Sequence, residues 1–178
     1  MHMATETDHA KDKPVNILSV LVQDVDGIIS RVTSMFTRRS FNLVSLVSAR
    51  TETEGINRIT IVVHADEEKI EQITKQLNKI IQVIKVLRLD KETTIARAMM
   101  LVKVAVTNQT RPQVVDAAGI FRARVVDVAP GSVVIEATGA PGKLRALLDV
   151  LEPFGIKEMV QSGQVALSRG PKTLAPSH

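Results

Sequence analysis

Asp24-Val25-Asp26-Gly27-Ile28-Ile29 is the segment of this 178-residue chain whose residue types best suit chemistry at a small charged ligand. An apolar run, residues 15–22, precedes it, and Ile28, Ile29, Val32, Met35 and Phe36 follow at helical spacing, so it reads as a loop entering a helix. The first N–H groups of a helix have no partner within it and attract an anion, which makes the amides of Gly27, Ile28 and Ile29 a cradle for a carboxylate. Asp26 suits the N-cap, Gly27 lets a ligand approach the backbone closely, and the Asp24 carboxylate accepts from an ammonium group. These parts together would hold an α-amino acid. The same residues also make an ordinary cap and tight turn, and the residue types alone leave both readings open. Asn42, just past the helix, has a similar pair of readings: a C-terminal cap in left-handed geometry, or an amide that meets a ligand. In a dimer that pairs the helix-plus-strand edges, Asn42 of one chain would face the 24–29 loop of the other. Arg38 and Arg39 read as compensation for the helix C-terminus.

Other chemistries lack raw material. There is no phosphate-binding loop, no dinucleotide fingerprint, no nucleophile elbow and no metal-spaced His/Asp/Glu group, so neither catalytic residues nor a metal site is expected. The chain has no Cys, which excludes disulfides and thiolate ligands, and only His64 of its four His lies outside the polar ends. Asp24-x-Asp26-Gly27 resembles part of a calcium loop but lacks a third acid and a closing Glu.

The elements that must position the loop follow a repeating order. Residues 1–14 read as a disordered polar tail. After the first strand and helix, two β-branched runs, 41–49 and 56–65, flank a turn ending in Gly55. Residues 66–79 form a helix with Asp66, Glu67 and Glu68 in its first turn, and 80–89 is a further strand. That βαββαβ order is the ferredoxin-like plait. The second half repeats it: strand 98–106, helix 112–122, strands 125–129 and 132–138, helix 141–151 and strand 156–167. Pro112 and Pro141 stand at helix starts, where a missing N–H costs nothing. A fixed shift along the chain sets Phe36 on Phe121, Arg39 on Arg124 and Asn42 on Asp127. The fold class is α+β, with domains at 15–92 and 93–170 and a polar tail at 171–178. In each domain both helices cover one face of the sheet and leave the other bare, so a homodimer is the expected minimum assembly.

Net charge is +4, carried by the half after residue 92, with no Lys/Arg run; an acidic protein partner suits it as well as nucleic acid. The expected central strands, with Leu18 to Val22 and Arg58 to Val63, have no aromatic residue on which bases would stack, so no nucleic acid is expected. Nothing approaches the roughly 18 apolar residues of a membrane span, and a cytoplasmic address follows by default.

Several stretches resemble the regulatory small subunit of acetohydroxyacid synthase. They are Ile17-Leu18-Ser19-Val20-Leu21-Val22 leading to Gly27, Phe41-Asn42-Leu43-Val44-Ser45-Leu46, and Glu71-Gln72-Ile73-Thr74-Lys75-Gln76-Leu77-Asn78-Lys79. In the second half they are Ile120-Phe121-Arg122-Ala123 with Val126-Asp127-Val128, Thr138-Gly139 to Gly142-Lys143-Leu144, and Ser162-Gly163 with Leu167-Ser168-Arg169-Gly170. The resemblance implies an N-terminal ACT domain and a C-terminal ferredoxin-like domain, neither catalytic and neither holding a cofactor. It implies a catalytic large subunit as partner, which would carry the thiamine diphosphate, Mg and FAD, and feedback inhibition by valine. Carried over by position, the effector contacts fall on Asp24, Gly27, Ile28 and Ile29 of one protomer and on Asn42 and Leu43 of its partner. Many relatives have Asn where this chain has Asp24. The alternative is a stand-alone amino-acid-binding ACT module acting on another partner.

Overall fold

The computed structural model describes residues 13–174, which divide into two compact units. The first runs to Ile95 and takes in the chain again from Gln164; the second is Ala96–Gly163. This differs from domains at 15–92 and 93–170, because the chain after Gly163 groups with the first unit.

The first unit holds β1 (Val15–Gln23), α1 (Ile28–Arg38), β2 (Leu43–Arg50), β3 (Ile56–His64), α2 (Glu67–Leu77) and β4 (Val83–Leu89). Its antiparallel sheet has the order β2-β3-β1-β4. Alternation places Leu18, Val20 and Val22 of β1 beside Ile59, Ile61 and Val63 of β3 in one buried cluster. Against it pack Ile28, Val32, Met35 and Phe36 of α1 and Ile70, Ile73 and Leu77 of α2. Asp66 caps α2 by accepting from the Lys69 N–H at 2.9 Å, and Lys13 reaches the same carboxylate at 2.6 Å. These two donors, Lys13 first, hold the Asp66 carboxyl below its ordinary value. Lys13 and Pro14 are therefore part of the fold, since the Pro14 carbonyl also accepts from the Ala65 N–H; the rest of the expected N-terminal tail lies outside the described residues.

β4 starts at Val83 instead of residue 80, because Ile80 donates to the Leu77 carbonyl and accepts from the Val83 N–H in a turn. The sheet face away from the helices is not bare. Ser19, Leu21, Thr60 and Val62 are all at most 2% exposed. On that face Arg58 donates to Ser19 Oγ at 3.1 Å and to the Leu174 carbonyl at 3.5 Å. Leu174 is itself buried, so the expected polar tail is anchored at that residue, while 171–173 are exposed.

The second unit continues β5 (Thr94–Ala105) into α3 (Arg111–Ile120), β6 (Arg124–Ala129), β7 (Ser132–Gly139), α4 (Pro141–Leu151), a short 3-10 turn and β8 (Ile156–Gln161). Strand order β6-β7-β5-β8 repeats the first topology. Met100, Val102, Val104, Val133 and Ile135 meet Val114, Leu144, Leu147 and Leu151 in its core. The single strand expected over 156–167 is two, because Ser162 turns the chain: its N–H donates to the Met99 carbonyl and its hydroxyl accepts from the Met99 N–H. The second piece, β9 (Val165–Ser168), belongs to the first unit, where the next residue, Arg169, donates its N–H to the Thr93 carbonyl at 2.6 Å.

The two units also end their first helices alike. Ser40 and Arg122 both take left-handed backbone, with φ of 51° and 53°. Phe41 donates to Phe36 and Ala123 to Ala118, the Schellman arrangement. Matching these ends sets Phe36 on Ala118 and Asn42 on Arg124. The sequence shift that paired them with Phe121 and Asp127 is thus corrected.

Candidate functional site

β1 delivers the 24–29 loop at its C-terminal end and α1 carries it away. The Gln23 N–H donates to Gln82 and the Asp24 N–H to Gly55, so neighbours on both sides fix where the loop leaves the sheet. The β1–β4 register shifts between Leu21 and Val22, a bulge of the kind that re-aims chain beside sites. Gly27, not Asp26, holds the N-cap position, with φ 79° and ψ 1°, and no side chain caps the helix. Its carbonyl closes the first turn by accepting from the Arg31 N–H at 3.0 Å. The left-handed turn is what Gly27 is needed for, and a Cβ built on it meets nothing within 4 Å.

Of the three amides expected to form the cradle, the Ile28 N–H is spent on the Val25 carbonyl at 3.3 Å. The Gly27 and Ile29 N–H groups have no acceptor among the described residues, nor has that of Ser30. The cradle therefore shifts by one residue toward Ser30. Ile28 turns its side chain into the core, 4% exposed, while Ile29 stays outside. Asp24 is exposed, and one of its oxygens accepts from Asn57 Nδ2 at 2.8 Å. Sequence reasoning missed Asn57; its signal was register, since Asn57 stands opposite Val22 where β1 runs into the loop.

Asn42 and Leu43 are at the other end of α1. An 11-residue helix rises about 16 Å, so one protomer does not bring them to the loop. Asn42 is exposed; its carbonyl accepts from the His64 N–H, and its side chain has no partner among the described residues. It does not take the left-handed cap conformation, which falls to Ser40. A register shift between Leu43 and Ser45 turns Val44 outward, half exposed, on β2, an edge strand of the sheet. The two candidate halves thus share a trait: each sits beside a bulge with its polar groups facing out. The arrangement offers N–H donors for a carboxylate, a carboxylate for an ammonium group and apolar Ile29. Groups of these kinds suit reversible binding of a small zwitterion.

Two successive βαββαβ plaits, with strand orders β2-β3-β1-β4 and β6-β7-β5-β8, are the architecture of an ACT-type protein. The match to the family model "AHAS small subunit-like ACT domain" covers residues 18–85, and the match to "Small subunit of acetolactate synthase" covers 97–170. The acetolactate synthase small subunit of Mycolicibacterium smegmatis is 50% identical over 159 residues, 89% of this chain and 94% of that protein. That of Mycobacterium bovis is 53% identical over 155 residues, 87% of this chain and 92% of that one. The crystal structure of the small subunit from Thermotoga maritima superposes with a TM-score of 0.84 at 33% identity, covering 89% and 99% of the two chains. The chain belongs to the acetolactate synthase small-subunit family.

Proposed function

We propose that this protein is the regulatory subunit that activates a thiamine-diphosphate-dependent catalytic subunit and makes it sensitive to valine. The effector lodges between two protomers. Its carboxylate meets the free amides of Gly27, Ile29 and Ser30, its ammonium group meets Asp24, and Asn42 and Leu43 of the partner protomer close the crevice. The observation that supports this reading most is the open cradle at Gly27, where left-handed backbone and unpaired N–H groups leave room for an anion. Asp24 contributes a negative charge for the ammonium group, with Asn57 holding the side chain in place. The separation of Asn42 from the loop within one protomer fits a shared site, because a free amino acid does not span the length of α1.

The test is reconstitution with the catalytic subunit. The chain alone is expected to form no acetolactate, to raise the rate of the catalytic subunit on mixing, and to render it inhibitable by valine. Asn42→Ala should keep the activation and lose the inhibition. Valine binding by a chain that neither joins nor activates the catalytic subunit would instead identify a stand-alone sensor.

A further inference from the structure

α1 and α2 are joined to the sheet on their inner faces, and a groove of about 500 Å³ runs between their outer faces. Four cations line it: Arg31, Arg38 and Arg39 from α1 and its end, and Lys79 from the end of α2. No Asp or Glu lines it. Among the described residues of the same unit, Lys13, Lys75 and Arg88 meet Asp66, Glu71 and Glu67, whereas others such as Arg50, Lys69 and Lys85 have no carboxylate partner. It is the clustering of four cations without an acid that sets the groove apart. The four groove cations have no such partner among the described residues. Arg31 and Arg38 are two turns apart, about 10.5 Å along α1, so they share one face. Ile81 also lines the groove, and it is 90% exposed, in a turn where the chain could have carried a polar residue at no cost.

We infer that this groove is the docking surface for an acidic segment of the catalytic subunit, one carrying carboxylates to meet the four cations and an apolar side chain to cover Ile81. The inference rests on the function proposed above and adds the surface through which it acts. Charge decides the occupant. A two-fold contact centred on the groove would set the four cations against their own images, so the contact between copies lies elsewhere. Buried against carboxylates the same cations become favourable, and Ile81 gains the burial it lacks. The groove borders the Gly27 cradle at Ser30, which lines it, and runs along the same helix. A ligand at the opening of α1 and a partner along its length therefore act on one rigid element.

The experiment compares the full chain with Arg31→Glu/Lys79→Glu and with Ile81→Ser. Association with the purified catalytic subunit is measured by calorimetry at two salt concentrations, and valine binding to each free chain serves as the check on fold and effector site. Like charges brought together cost several kcal/mol, so the double reversal should weaken association by about 100-fold or more and flatten its salt dependence. Ile81→Ser should weaken it by about tenfold, the loss of one buried aliphatic side chain. Valine binding should be unchanged in Ile81→Ser and retained, though weakened by the new charge at residue 31 beside Ser30, in the double reversal. Variants that associate as tightly as the unaltered chain overturn the groove and leave the proposed function standing. Inorganic polyphosphate bound by the full chain, lost in the double reversal while association persists, shows a small-anion site and likewise overturns it. An unaltered chain that does not associate at all overturns both.

Discussion

Gly27→Ala separates backbone strain from ligand recognition at the proposed cradle. The residue sits at φ 79°, and a Cβ there meets nothing within 4 Å. No clash contributes, so the cost is that of left-handed backbone alone, about 1–2 kcal/mol. Gly170 provides the matched control in the same unit, with φ 76° and open space around its Cβ. Both Ala variants should therefore lower the unfolding free energy by about 1–2 kcal/mol, read as a fall in the urea midpoint at constant slope. They should differ at the effector. A methyl group at Gly27 projects into the space proposed for the carboxylate, or relaxes the turn and re-aims the amides beside it. Either way about one charge-assisted hydrogen bond is lost, 1.5–3 kcal/mol, or roughly a 10- to 150-fold rise in the valine concentration for half inhibition. The assay is acetolactate formation by the reconstituted complex across a valine titration, with Gly170→Ala leaving the midpoint in place. Equal shifts in the two variants, or none in Gly27→Ala, refute the reasoning.

Two further expectations concern the frame around the site. A chain ending at Gly170 loses the burial of Leu174 and the contact of its carbonyl with Arg58, and should be less stable by about 1.5–3 kcal/mol in urea unfolding; an unchanged midpoint would contradict the packing of that segment on the sheet. Asp66 has a folded-state pKa lowered by Lys13 and the Lys69 N–H. Its contribution is full above the unfolded value of about 3.9 and is lost as pH falls through the lower folded value. Asp66→Asn, which can still cap α2, should thus be less stable than the unaltered chain at neutral pH, with the difference closing below about pH 4. A difference that persists in acid would trace the loss to capping and not to charge.

The alternation of Ile59, Ile61 and Val63, the helical spacing from Ile28 to Phe36 and the position of Pro141 were enough to read both plaits from sequence, because in each the buried face dictates the period. α4 starts where Pro141 predicts. What sequence could not show was decided by groups far away along the chain. Residues 156–167 carry a turn signal at Ser162-Gly163, but where the chain breaks, and that Ser162 ties it to Met99, shows only in the contacts. The sheet face bearing Ser19 and Thr60 reads as solvent-facing until Arg58 and Leu174 are seen beside it. At the site, the loop and the need for Gly27 were legible from local chemistry. The choice among Asp26, Gly27 and no cap at all was not, nor was the use of the Ile28 amide inside the turn, since both depend on how β1 leaves the sheet. Ser40 in place of Asn42 as the left-handed residue follows from where α1 ends, and boundaries of that kind shift by a residue or two without altering any pattern.

The length of α1 constrains how the signal travels. In the proposed site the cradle and Asn42 stand about 16 Å apart along α1 of one protomer, so a valine that touches both would bridge two chains, and its affinity would then depend on the geometry of the pair. A catalytic subunit that prefers one geometry of that pair is coupled to valine through it, and the coupling must be the same in both directions. Couplings of this type amount to about 1–3 kcal/mol, or 5- to 150-fold. The affinity of valine for the free regulatory dimer should therefore differ from its affinity for the assembled complex by the same factor by which saturating valine changes the dissociation constant of the complex. Calorimetry measures all four constants on unaltered protein. Factors that disagree would mean that valine acts through more than the two geometries, and valine binding to a dilute monomer with undiminished affinity would remove the bridge on which the coupling depends.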